Sequence, residues 1–423
     1  MTVVWQILAG LGFFALILVS VGLHELGHFL PSKLFGVKVD QFFIGFGPTL
    51  WKRRRGETEY GVKWLPLGGY CAIAGMLPPQ REGKDTRLKR WADSIRQADW
   101  ENISDQDVAS GRLFYQQSLP HRLLIMAGGV GANLVLAFAL FLGVNLVHGQ
   151  PDPDDVSLTV HSVVACVNGS TGCVPTPAAA AGVQAGDTIV AVNGRAVATY
   201  DDYQQALEAT VKADQAVQDL QLTVDRPAAG RLELPAAAGM MVTFDDGDIG
   251  PYAGVSLLLN RHPVGPVGTL REMGSMTWLS LKAIVRLPLL AWDTVSDLIA
   301  GRPRDPEGVM SVVGAARLAG QVAGTDQLGT DYKIALYLRL LGSINLFVAI
   351  FNLVPLLPFD GGHVAAGLYG GLRSWLARRR GRADPGPVDV AKLQPVAYIV
   401  GAGIVVLGVA LVLADVLSPV QIF

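Results

Sequence analysis

The sequence is short of charge. Asp, Glu, Lys and Arg make up 17% of its 423 residues while half are hydrophobic, and its mean hydropathy is +0.36. A soluble globular chain carries about 25% charged residues, so this balance points away from one. The formal charge is −2, and the basic surplus that a nucleic-acid partner requires is missing. Three cysteines are too few for a disulfide scaffold. The first apolar stretch lacks a basic n-region and an A-x-A cleavage site, which favours a retained segment over a removable signal peptide. The length leaves room for two or three domains.

Ionisable side chains are also scarce between Val3 and Leu30, where only His24, Glu25 and His28 occur. They fall in Leu23-His24-Glu25-Leu26-Gly27-His28, an H-E-x-x-H pattern. On a helix the two histidines project from one face about one turn apart. Two imidazoles so placed can bind one divalent ion, and Glu25 beside them can take a proton from water. The bland alternative is a solvated helix with two histidines. In a run otherwise fit for lipid, polar groups are costly unless they have a function, so a metal site is expected.

A bilayer core of about 30 Å needs roughly 20 apolar helical residues. Val3–Leu30, Leu123–Val147 and Val396–Leu417 qualify, and Ile334–Pro358 does so despite Arg339, Asn345 and Asn352. Polar interruptions of that kind usually face a bundle interior and suggest a site. The division expected is 1–30 as a first span, 31–121 as a loop of β-hairpins, 122–148 as a second span, and 149–262 as a folded domain. An amphipathic helical region at 263–332, a third span at 333–358, a basic loop at 359–394 and a fourth span at 395–423 complete it. Lys and Arg crowd the 31–121 and 359–394 loops and are sparse in the middle region. The positive-inside rule then puts those loops in the cytoplasm and the middle region outside, with the histidines towards the cytoplasmic end of their helix.

Val39–Leu50 and Thr58–Gly75 are aromatic and β-branched with Gly and Pro punctuation, and read as strands. Their apolarity suggests that they dip into the membrane face beside the metal, the alternative being a small cytoplasmic β-subdomain. Pro78–Gln117 is polar and reads as surface. Outside, Ala178 to Gly194 (AAAAGVQAGDTIVAVNG) is similar to the helix, G-D-x-I and V-N-G strand-turn of PDZ domains, with Tyr200–Thr210 as the second helix. Such a domain takes up peptide termini at a sheet edge; a structural plug is the alternative. Cys166 and Cys173 flank a short loop on the oxidising side and can pair, leaving Cys71 free. Met273–Leu298 reads as a surface-lying amphipathic helix rather than a fifth span, because a fifth span would separate the metal residues across the membrane.

Two histidines leave a catalytic zinc one protein ligand short. Asn352-Leu353-Val354-Pro355-Leu356-Leu357-Pro358-Phe359-Asp360-Gly361-Gly362-His363 offers Asp360 at the matching depth, with His363 as a rival. Pro355 and Pro358 would break the helix there.

Taken together, H-E-x-x-H in a first span, Gly129-Val130-Gly131-Ala132-Asn133 in a second, a PDZ-like domain and N-x-x-P-x-P-x-D-G in a later span resemble the site-2 protease family of intramembrane zinc metalloproteases. The arrangement is most similar to the bacterial branch that releases sigma factors, in its actinobacterial form with a single PDZ domain. The resemblance implies a polytopic α-helical membrane protein with four transmembrane helices, a membrane-associated β-hairpin region and one extracytoplasmic PDZ domain. It implies Zn2+ held by His24, His28 and Asp360, with Glu25 as catalytic acid/base. It further implies Asn352, Gly68, Gly69 and Asn133 as substrate-binding residues. Val130 stands where the family commonly has proline, and Phe359 where it has leucine. The activity implied is cleavage of a single-pass membrane protein such as an anti-sigma factor, in a bacterial plasma membrane, after a first cut outside. A zinc-containing PDZ scaffold or chaperone without proteolysis is the alternative.

Overall fold

Thr2–Leu34 forms one helix, α1, and at 1.5 Å per residue it is about 50 Å long, more than a bilayer core needs. The computed structural model describes residues 2–79, 86–101, 103–169, 172–211, 218–243, 249–300, 309–325 and 329–418. The chain divides into two compact units, one of Met1–Leu146 with Gly265–Phe423 and one of Val147–Val264.

In the first unit α1 leads into β1 (Val39–Arg55) and β2 (Thr58–Ile73), a long antiparallel hairpin. The hairpin folds back on itself. Residues 41–44 register with 59–62 and also with 69–72, so among the described residues the 69–73 stretch is strand-paired along one edge. Gly45 and Gly47, at φ +89° and +84°, allow the reversal. Two short surface helices follow, α2 (Arg87–Trp100), capped by Thr86, and α3 (Asp105–Ala109), with a Ser104/Asp107 capping box. Helix α4 spans Leu119–Val147.

The second unit is built on a sheet of strand order β12-β3-β6-β8-β9 with β7 on β6. These are β3 (Gln150–Val163), β6 (Thr188–Val192), β7 (Arg195–Ala196), β8 (Leu222–Arg226), β9 (Gly230–Glu233) and β12 (Val255–His262). Two small hairpins, β4–β5 (Cys166–Gly169, Gly172–Pro175) and β10–β11 (Met241–Thr243, Ile249–Pro251), complete the strands. Helices α5 (Pro177–Ala181) and α6 (Tyr200–Glu208) cover a core of Val160, Ile189, Tyr203, Leu207, Leu222 and Val224. Cys166 and Cys173 are disulfide-bonded and Cys71, in the other unit, is free.

The first unit resumes with α7 (Pro266–Ala300), α8 (Val312–Gly324), α9 (Thr330–Asn352), α10 (Asp360–Arg379) and α11 (Gln394–Leu417). Among the described residues, four helices are long and apolar enough to cross a membrane: Val3–Leu34, Leu119–Val147, Thr330–Asn352 and the helical stretch Val390–Leu417. Val405, Val406 and Val409 on α11 and Ile7, Leu8 and Leu11 on α1 are exposed, as suits faces turned to lipid.

Two stretches differ from the sequence expectation. The third span ends at Asn352 rather than at residue 358, because Pro355 and Pro358 cannot continue the ladder and bias the residues before them away from helix. Where a basic loop is expected at 359–394, residues Asp360–Arg379 are helical. The residues that α10 buries are Gly361, Gly362 and Gly370, and glycine contributes no hydrophobic periodicity to read. Among its described residues the region 263–332 holds α7, α8 and the start of α9. Of these, α8 lies against α1 so closely that a Cβ on Gly10 would come within 2.8 Å of the Ala316 carbonyl oxygen.

Two polar interruptions of the third span tie helices together. Asn345 Nδ2 donates to Ser20 Oγ on α1 at 3.1 Å. Arg339 pairs with Glu272 of α7, whose Oε2 accepts from Asn145 Nδ2 of α4 at 2.8 Å.

Candidate metal centre

His24 and His28 project from one face of α1 and meet the first residue of α10. The His24 and His28 Nε2 atoms are 3.3 Å apart, and Asp360 Oδ2 is 3.4 Å from the first and 3.3 Å from the second. No other group of three such side chains gathers to this closeness among the described residues. His363, the rival ligand, is outside the cluster and lines a neighbouring cavity.

The placement of Asp360 is local chemistry. After α9 stops, residues 353–359 turn back tightly, with a cis peptide at Leu357-Pro358. Gly361 and Gly362 accept that turn: a Cβ on Gly361 would lie 2.4 Å from the Leu353 and Val354 carbonyl oxygens, and one on Gly362 2.6 Å from Leu357 N. No other residue type fits the two positions without moving the carboxylate.

His28 Nδ1 lies 2.9 Å from the Ile125 carbonyl oxygen of α4 and donates to it. That bond fixes the tautomer, so Nε2 presents its lone pair to the cluster. Asp360 Oδ2 is shielded from solvent without a hydrogen-bond partner among the described residues. Converging lone pairs repel unless a cation stands among them. The spacing also fits one: ligand atoms about 2.0–2.1 Å from zinc in a tetrahedral set are roughly 3.3–3.4 Å apart. Three protein ligands are the number found in catalytic zinc sites, whereas structural sites use four.

Glycine brings the supporting elements in. A Cβ on Gly27 would lie 2.3 Å from the Gly128 carbonyl oxygen, one on Gly128 2.0 Å from that of Gly27, and one on Gly129 2.3 Å from His28 Nε2. Helices α1 and α4 therefore touch backbone to backbone at the metal motif, as small residues allow inside membranes. A Cβ on Gly69 would meet Glu25 Cγ at 3.0 Å and Val21 Cγ1 at 3.3 Å, so β2 lies directly on the motif. Gly68, at φ +115°, packs on the Phe46 ring. Burial pushes the neighbouring Cys71 thiol up to about 12, with Glu25 adding to it.

Asn133 is one turn beyond Gly129 on α4 and is 2% exposed, with its Oδ1 unpartnered among the described residues. Asn352 is half-buried in the last turn of α9. The roles of Gly27, Gly128 and Gly129 escaped the sequence reading; small residues four or fewer apart in two apolar runs were the available signal.

Residues 12–383 match the sequence profile of Peptidase family M50. The chain is 32% identical over 441 aligned residues to Zinc metalloprotease Rip1 of Mycobacterium tuberculosis, covering 98% of each chain. It is 33% identical to Zinc metalloprotease Rip1 of Mycolicibacterium smegmatis, again covering 98% of each. Metalloprotease MmpA of Caulobacter vibrioides is 28% identical over 83% of each chain. The chain belongs to peptidase family M50, the site-2 proteases, and is a multi-pass zinc metalloprotease.

Proposed function

We propose that the chain hydrolyses a peptide bond in or near the transmembrane segment of a single-pass protein, an anti-sigma factor being the type of substrate its family suggests, after a first cleavage outside. The observation that carries this is the convergence of His24 Nε2, His28 Nε2 and Asp360 Oδ2 within 3.3–3.4 Å of one another on an apolar helix, with Glu25 against the Gly69 strand.

His24, His28 and Asp360 are the residues that would hold zinc. When bound, zinc polarises the scissile carbonyl and makes water a competent nucleophile near neutral pH. Glu25 takes the proton of the attacking water and delivers it to the leaving amine. A transmembrane helix satisfies its own backbone and resists cutting until it is locally unwound. The edge of 69–73 that carries no strand partner among the described residues, beginning at Gly69 beside Gly68, is suited to hold the unwound segment by strand addition. Asn352 offers both a donor and an acceptor for the exposed peptide groups. Asn133 is buried, so its contribution requires the substrate to displace its neighbours.

The second unit acts in this reading as a PDZ domain, binding peptide termini outside and excluding substrates whose bulky outer part is intact. The positive charge of the two flanking loops supports a cytoplasmic site in a bacterial plasma membrane. The test is Glu25→Gln in the full chain. Zinc content should stay at the level of the unaltered protein, cleavage of a transmembrane peptide should fall by about 10²–10⁴-fold, and uncleaved single-pass proteins should co-purify. Undiminished cleavage would overturn the assignment of Glu25.

A further inference from the structure

One turn after Asp360 on α10, His363 borders a cavity of about 300 Å³, at the lower end of the range for small-ligand sites. Arg122 from the first turn of α4, Ser374 and Arg378 from α10, Asp384 beyond it, and Tyr115 and His363 form the polar part of the wall.

The charges in that wall are not balanced. Asp384 is engaged: its Oδ1 accepts from Ser374 Oγ at 2.7 Å and from Gly386 N–H at 2.8 Å, and its Oδ2 lies 4.0 Å from Arg378 Nη1. Arg122 has no such partner among the described residues. Its Nε is shielded from solvent and makes no hydrogen bond among the described residues. The residue is half-buried, and a guanidinium cannot shed its proton where water is kept from it. It also sits at the start of a 29-residue helix, the end at which the dipole favours an anion over a cation. Both costs are relieved by the same ligand, an oxyanion lodged in the cavity.

The proposed proteolysis produces one a turn away. Water adds to the scissile carbonyl carbon, the C–N bond breaks, the amine leaves with a proton, and the new acid ionises to a carboxylate. Resting on that reading, we infer that the cavity receives the carboxylate end of the upstream cleavage fragment, with Arg122 as its cationic partner. Arg122 in this role binds product and leaves the chemical step to the metal motif. Product is then drawn off the reacting centre by a fixed charge, and fragments ending in a free carboxylate compete for the site.

The experiment uses the full-length Glu25→Gln protein in lipid nanodiscs and a fluorescent apolar hexapeptide, made with a free carboxylate or a C-terminal amide. Anisotropy should show the acid binding at least tenfold tighter than the amide. That preference should survive removal of zinc by EDTA, shrink for Arg122→Lys and vanish for Arg122→Gln. Equal binding of acid and amide would overturn the inference without reference to any variant's folding. So would a preference lost with the metal, or one untouched by Arg122→Gln. Saturable binding of inorganic phosphate without binding of the peptide acid would assign the cavity to free or lipid phosphate instead. Failure of the proteolytic reading would appear separately, as an unaltered enzyme that cleaves nothing while the acid preference persists.

Discussion

Gly129 leaves open the space into which the His28 ring projects. A Cβ at that position would stand 2.3 Å from His28 Nε2 and 2.8 Å from His24 Cε1, closer than non-bonded atoms approach. The ring cannot give way freely, because its Nδ1 is held by the Ile125 carbonyl of the same helix α4. Gly129→Ala should therefore lower zinc affinity by about 10–100-fold, the range seen when the support of a metal-ligating histidine is disturbed. Metal titration by competition with a chelator reads the effect, and unchanged helical circular dichroism separates it from unfolding. Affinity equal to that of the unaltered protein would show that the ring relaxes without cost.

Arg339 and Glu272 join α9 to α7, with Asn145 of α4 bonded to both and to Thr269. Neutralising one member weakens the compensation of the other's charge, which costs more than deleting both. Glu272→Gln is expected to destabilise the first unit by about 2–4 kcal/mol, while the double change Glu272→Met with Arg339→Met recovers most of the loss. Denaturant unfolding in detergent provides the cycle. A double variant no more stable than the single one would mean that packing, not charge, accounts for the contact.

The metal motif is legible in the sequence because three ionisable side chains in a lipid-compatible run admit few explanations. Asp360 is legible as well, since two prolines and two glycines around a carboxylate mark an aimed turn. The supports are not. Gly27, Gly128, Gly129 and Gly69 work by having nothing beyond the backbone, so neither hydrophobic period nor charge records them. Helix α10 hides for the same reason, its buried positions being glycines. Arg339 and Asn345 read as site residues because the cost of a polar group in a span is visible in sequence, whereas its partner on another helix, Glu272 or Ser20, is not.

Asp187 anchors the second unit. It is 1% exposed, and Arg226 Nε and Nη2 each lie 2.8 Å from one of its oxygens. The Arg226 guanidinium, against the opposing effect of burial, holds this carboxyl below the usual carboxylate range. A folded-state value below the unfolded one adds stability above the unfolded pKa, about 3.9, and loses it as pH falls below that. Amides of 188–192 and 222–226 should thus lose hydrogen-exchange protection below about pH 4, after correction for intrinsic rates. In Asp187→Asn that dependence should flatten, with protection at pH 7 lower by about 1–3 kcal/mol.

Cys71 provides a thiol count that reports on the motif beside it. Burial raises its thiol to about 12 and the Glu25 carboxylate adds to the rise, so almost no thiolate exists at pH 7.5, and the thiolate is the species that reacts. The native protein should take up no maleimide at pH 7.5 on a timescale in which free thiols react completely. Denatured without reductant it should take up one per chain, because Cys166 and Cys173 are joined; denatured and reduced it should take up three. Rapid labelling of the native protein would mean that the strand carrying Gly69 lifts away from Glu25. The strand-addition mechanism would then need an opening step before substrate binds.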